Sequence, residues 1–186
     1  GRRLPRLRGA YKERFQSASG GSASDADFDA ALALIMASKQ WNNAQYLTEA
    51  KSLISWIASN DIEGNGSVKA GSNWNPMFNP SYGTLANFKL FGDVAGGSWS
   101  SVITKTEQDL LLCQNSKTGL VTDWCDWNSH SPAVNSQAAV GQADKPGFFD
   151  DAARTPWRMA WAYNWYGNAN AKKFNDKIIE AEAKAL

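Results

Sequence analysis

Histidine and cysteine are scarce in this chain. His130 is the one histidine, and Cys113 and Cys125 are the two cysteines, in 186 residues. That scarcity excludes a zinc site of the Cys/His kind built from this chain alone. The cysteines themselves stay open to two readings, one disulfide formed in an oxidising compartment or two unrelated buried thiols. Long apolar runs are missing as well. None reaches the roughly 18 residues expected of a membrane-spanning helix, so no membrane partner is expected. The charged, apolar and small-residue succession of a secretion signal does not open the chain, and any such signal is expected to have been removed or to lie outside it. An excess of one charge is also lacking, with 19 Lys and Arg against 18 Asp and Glu. Beyond the first residues no basic patch is able to track phosphates, so no nucleic-acid partner is expected. No repeat of fixed period is found, which argues against a simple solenoid.

What remains is a globular composition, 43% hydrophobic and 20% charged, long enough for one ordinary domain. The charge is unevenly spread. Residues 1–14 hold six basic residues and one acid, Glu13, and the rest of the chain holds 13 basic against 17 acidic residues, a net of −4. A basic arm can touch nucleic acid or a membrane, but a poorly ordered end is the plainer reading. Residues 1–21 are therefore set apart as a basic N-terminal segment, and residues 22–186 as the domain. Nine tryptophans are a marked excess. Tryptophan fills a large core or offers a flat face to a ligand, and sugars are one ligand class that uses such faces.

The apolar spacing is mostly helical. Asp25 to Ser38 reads as a first helix, N-capped by Ser24, with Phe28, Leu32, Ile35 and Met36 as its buried stripe. Asn42 to Ser59 follows, carried by Tyr46, Leu53, Trp56 and Ile57. Gly83 to Val94 is a third, through Leu85, Phe88 and Phe91. Ser98 to Asn115 is a fourth, through Val102, Ile103, Leu110 and Leu111. Asp151 to Tyr166 is a fifth, which either starts at Thr155–Pro156 or is kinked there, because proline breaks an interior turn. Ala169 to Leu186 is a sixth, with Phe174, Ile178 and Ile179 on one face. Residues 67–79 read as irregular, 118–127 as extended or looped and 128–147 as a long loop, and no sheet stands out.

Three stretches carry chemistry. SASDADFDAALALIMASKQW (22–41) sets Asp25, Asp27 and Asp29 at the head of an apolar helix. A calcium loop would need Gly at its sixth position and Glu at its twelfth, and Ala30 and Met36 stand there. Capping accounts for one or two of the acids but does not require three. GFFDDAARTPWRMAWAYNWYG (147–167) sets Asp151, Arg154 and Arg158 at helical spacing. An arginine three residues away holds a carboxylate ionised and oriented, as a general base needs; a plain ion pair at a helix start is the simpler reading. Trp157, Trp161 and Trp165 recur every four residues, a stripe more often core than sugar platform. NPSY (79–82), with Trp74 before it, is turn chemistry expected to display Tyr82 at a helix start.

Together these residues resemble glycoside hydrolase family 8, the family of endoglucanases, some xylanases and chitosanases. ASDADFDAALALIMASKQW (23–41) is similar to its signature, with Ala30 departing from the usual Ile or Met. NPSY (79–82), TGLVTDW (118–124) and DAARTPWR (151–158) look like further family segments, in family order. The resemblance implies an (α/α)6 barrel of twelve helices and inverting hydrolysis of β-1,4 glycosidic bonds in a polysaccharide or oligosaccharide, with no cofactor and no metal. It implies Asp151 as general base with Arg154 as its neighbour in the site, Asp25 contacting and distorting the sugar at the cleavage point, and Tyr82 beside the attacking water. Trp74 and Trp124 are its sugar platforms, and a secreted, bacterial setting goes with it. Asp151 favours the cellulase and xylanase branch over the chitosanases.

Two features depart from the family. Its general acid is a glutamate in a Ser-Glu-Gly-x-Gly-type motif upstream of the Asp25 motif, and Glu13, Glu49, Glu63, Glu107, Glu180 and Glu182 all lie in other contexts. Six helices are found where the barrel needs twelve. The expected fold is therefore all-α, about half of an (α/α)6 barrel. The expected state is an internal portion of such an enzyme, with little hydrolysis alone and the rest of its barrel as a partner. Two rivals stand beside it: a non-catalytic carbohydrate-binding protein on the same helical toroid, and a helical interaction module using the basic arm.

Overall fold

The computed structural model describes residues 22–72, 74, 77–134 and 145–185. The basic segment expected over residues 1–21, and much of the loop expected over 128–147, lie outside the described residues.

Six α-helices form among the described residues: α1 (Ser24–Gln40), α2 (Ala44–Asn60), α3 (Leu85–Ala95), α4 (Trp99–Cys113), α5 (Thr155–Tyr166) and α6 (Ala169–Ala185). They pack as consecutive hairpins, α1 on α2, α3 on α4 and α5 on α6. Helix α3 touches both α1 and α5, while α4 touches α6. The result is an inner row of α1, α3 and α5 backed by an outer row of α2, α4 and α6. The core lies between the rows. Phe88 of α3 meets the Phe28 ring edge-on at 5.1 Å and stacks on Trp99 of α4 at 5.7 Å, and Phe91 meets Trp99 at 5.2 Å. Such pairs add about 0.5–1.5 kcal/mol each beyond their buried area.

The helix ends show local chemistry at work. Asn43 caps α2, its side-chain oxygen accepting from the Gln45 N–H. Helix α5 starts at Thr155 with Pro156 in its first turn, where the missing N–H costs nothing. A 3-10 turn, Ala152–Arg154, precedes it. Gly167 ends α5 in the left-handed region at φ 65°, a C-terminal cap that glycine adopts without strain. Ser24 is not the cap of α1. Ala23 holds that position without a side-chain bond, and Ser24 Oγ instead donates to the Lys69 carbonyl at 2.5 Å. Tertiary docking of the 69–72 segment has taken the hydroxyl that the helix end would have used.

Other expectations are corrected. Met36 and Ile179 are exposed, while Ala31, Leu34 and Phe174 carry more of the burial. The tryptophan stripe of α5 is not core: Trp157 and Trp165 stand open, with Trp161 partly buried between them. A small sheet is present in place of none. Strands β1 (Met77–Phe78), β2 (Trp124–Asp126) and β3 (Pro132–Ala133) pair antiparallel in that order, Phe78 opposite Cys125 and Cys125 opposite Pro132. Cys113 and Cys125 are joined as a disulfide, with Cα atoms 6.2 Å apart, which fastens β2 to the end of α4.

Candidate active site

The inner helices begin at one end of the molecule, and their N-terminal approaches supply the site. Asp25 lies in the first turn of α1. Tyr82 ends the 3-10 turn Pro80–Tyr82 just before α3. Asp151 precedes, and Arg154 ends, the 3-10 turn that leads into α5. Arg154 is the hub. Its Nη1 donates to Asp25 Oδ2 at 2.9 Å and its Nη2 to Asp151 Oδ1 at 2.5 Å. One planar guanidinium thus spaces two carboxylates by its own width and neutralises part of their charge. All three side chains remain partly open to solvent, so a polar ligand or water can reach them.

Asp151 is gripped from both sides, because Asn79 Nδ2 donates to its Oδ2 at 2.8 Å. Asn79 is itself fixed by accepting from the Ser81 N–H at 3.0 Å and the Ser81 hydroxyl at 2.8 Å. Each carboxylate oxygen keeps a further lone pair, which is what a group that takes a proton from water requires.

Tyr82 is buried instead of displayed. Its ring lies 5.7 Å from the Arg154 guanidinium. Burial first, then the negative charges of Asp25 and Asp151, push its hydroxyl above the ordinary range. It is therefore a neutral hydrogen-bond donor beside two carboxylates. Trp74 stacks on Trp124 at 5.9 Å and 23°, and Trp124 meets Tyr82 edge-on at 6.3 Å. Trp74 is half-buried, but Trp124 is only 2% exposed. Trp124 is therefore no open sugar platform; it backs Trp74 and Tyr82 from within the core. Gly71 makes this possible, since a Cβ there would meet the Trp74 ring at 2.6 Å.

Three functional positions escape a reading of the sequence. Asn79 was legible only as a turn residue. Asp123 accepts from the Ala152 N–H at 2.8 Å and the Phe149 N–H at 3.2 Å, holding the turn that carries Asp151. Asp29 is taken by Arg158, Nη1 to Oδ1 at 2.7 Å and Nη2 to Oδ2 at 2.6 Å, with Asn87 Nδ2 at 3.3 Å. That fork lies one turn beneath the Asp25–Arg154 contact and ties α1 to α5 across α3. Arg158, at helical spacing from Arg154, therefore pairs with Asp29 and not with Asp151.

Similarity to known proteins agrees with this geometry. The sequence profile of Glycosyl hydrolases family 8 matches residues 3–181. Endoglucanase C of Ruminiclostridium cellulolyticum is 39% identical over 165 residues, which is 85% of this chain and 34% of that protein. Endoglucanase A of Acetivibrio thermocellus is 34% identical over 173 residues, 88% of this chain and again 34% of the relative. The apo structure of a β-1,3-1,4-glucanase from Paenibacillus sp. X4 superposes with a TM-score of 0.80 at 26% identity, over 92% of this chain and 49% of the other. The chain thus spans about a third of the length of these sequence relatives and about half of that structure. Its two rows of three helices are about half of an (α/α)6 barrel.

Proposed function

The chain belongs to glycosyl hydrolases family 8, and on that premise we propose that it carries the water-activating half of an inverting endo-β-1,4-glucanase cleft. Asp151 is the general base. Asp25 binds and distorts the sugar at the cleavage point. Arg154 holds both, and Tyr82 donates a hydrogen bond beside the attacking water. Trp74 presents its face to a sugar ring, with Trp124 as its support. The observation that carries this reading is the single guanidinium bonded at once to Asp25 and Asp151. It orients the base through one oxygen, and Asn79 holds the other.

Inverting hydrolysis needs a second carboxyl group, roughly 6.5–9.5 Å from the base, to protonate the leaving oxygen. Among the described residues Glu63 faces Lys69, and Glu107 accepts from Asn168 and Asn170. The acid is therefore assigned to a part of the barrel that this chain does not span. The endoglucanase names of the relatives support a β-glucan substrate. The Cys113–Cys125 disulfide supports an oxidising, extracellular setting.

The purified chain is expected to bind soluble β-1,4-oligoglucan without turning it over. In a polypeptide that completes the barrel, Asp151→Asn should lower kcat by about 10²–10⁴, and the first product seen by NMR should be the inverted anomer. Reducing-end release by the 186-residue chain alone, abolished by Asp151→Asn, would overturn the division between the two halves.

A further inference from the structure

Asp27 sits between the two aspartates of α1 whose partners have been described, and it faces neither arginine. It is 2% exposed, and the side chain it meets, Asp61, is wholly buried. Asp61 closes the C-terminus of α2, its N–H bonding to the Ile57 carbonyl at 2.8 Å, while its own carbonyl accepts from the Lys69 N–H at 2.8 Å. Its Oδ1 takes the Ser22 hydroxyl proton at 3.1 Å. The Asp27 and Asp61 carboxyl groups lie within hydrogen-bonding reach of each other. Yet, among the described residues, Asp27 Oδ2 and Asp61 Oδ2 are both buried with no donor. Two ionised carboxylates cannot bond each other, because both only accept. A single proton between them turns one into a donor and supplies the missing partner.

The charges around the junction favour that proton. Asp25, on the same turn of α1, adds negative charge. From the 62–70 segment, Lys69 is, among the described residues, the nearby cation that acts on Asp61, and its amine also reaches Glu63 at 3.9 Å. Ser22 and Ser24 are neutral, and the Ser24 hydroxyl is already given to the Lys69 carbonyl. We propose that Asp27 and Asp61 share one proton, and that this acid–carboxylate pair positions the first turn of α1 and with it Asp25. The positioning role rests on the active-site reading above; the shared proton does not.

Burial is the main cause that pushes both groups up, Asp27 to about 6 and Asp61 to about 7, and the charge of Asp27 adds to the rise at Asp61. These values belong to the pair as a unit. The folded chain then holds a proton that the unfolded chain releases. The pair's contribution is whole below the ordinary carboxylate value of 3.8 and is lost as pH rises through about 6 to 7.

The test uses the purified chain. Infrared spectra should show a protonated carboxylic-acid carbonyl band at pH 5–6, retained in Asp25→Asn and lost in both Asp27→Asn and Asp61→Asn. Hydrogen exchange of the first-turn amides of α1, corrected for intrinsic rates, should speed up about tenfold per pH unit below about 7 and then level off. Asp61→Asn, whose amide donates without titrating, should flatten that slope and keep cello-oligosaccharide binding constant above pH 7, where the parent chain weakens. If the variants fail to fold, the band and the slope of the parent chain decide alone. No acid band, or a slope abolished by millimolar calcium or magnesium, would overturn the proposal. The latter outcome would put a cation in the proton's place. Oligosaccharide that binds at no pH would count against the active-site reading and leave the band and slope to judge the pair.

Discussion

Asp29 and Arg158 are unequal partners, and the inequality decides which is dearer to lose. The Arg158 side chain is 2% exposed, whereas that of Asp29 is 46% exposed. Asp29→Ala would strip both acceptors from a buried guanidinium, a loss of about 3–5 kcal/mol for a stranded buried ion. The cation–π contacts of Arg158 with Trp157 and Trp161, at 4.7 and 5.8 Å, pull the expectation to the lower end of that range. Arg158→Met keeps the buried stem and frees a carboxylate that water can solvate, so about 1 kcal/mol is expected. Urea unfolding of the two variants measures the difference, and equal losses would contradict the argument. The three aspartates also show how far a site is legible from sequence. Their clustering was visible, and Asp25 was the one expected at the site. Their partners were not. Arg154 and Arg158 lie 129 residues away, and nothing local separates a carboxylate that faces an arginine from one that shares a proton.

At the scale of elements, the helices were legible because each repeats an apolar face over three or more turns. The sheet was not, since strands of two or three residues hold no period to detect. Its order comes from fastening, not from propensity. The disulfide joins Cys125 of β2 to Cys113 of α4. His130, in the turn between β2 and β3, bonds Asp109 of the same helix through Nε2 at 2.9 Å. Lys105 also pairs with Asp109. Reduction of the disulfide should therefore loosen a strand that carries Trp124, and with it the Trp74 stack. For a bridge spanning 12 residues, chain entropy predicts a loss of about 3 kcal/mol. Guanidinium unfolding with and without reductant would measure it, and a tryptophan fluorescence shift in the folded baseline should accompany it. An unchanged midpoint would mean that the His130 and Lys105 contacts hold the sheet without the bridge.

At the scale of the molecule, an arc of three inner helices has an open flank that a closed ring would not. On α5 that flank is aromatic. Trp161 stacks on Trp165 at 4.9 Å and meets Trp157 at 4.3 Å, and the outer two rings are 42% and 45% exposed. At the far end of α1, Met36 and Trp41 are open as well. An apolar stripe of this kind has a strong tendency to be covered, because burial gains about 25 cal/mol per Å2. The 186-residue chain is therefore expected to self-associate through α5 as its concentration rises. Sedimentation velocity over a hundredfold range of concentration should show the weight-average mass climbing. Trp165→Glu is the informative variant. Its ring rests on Trp161 and lies a turn or more from the Arg158 contacts, so the charge should return the chain to monomer while leaving its helical circular dichroism unchanged. A parent chain that stays monomeric throughout, with one cooperative thermal transition, would show that the open flank needs no partner to be stable.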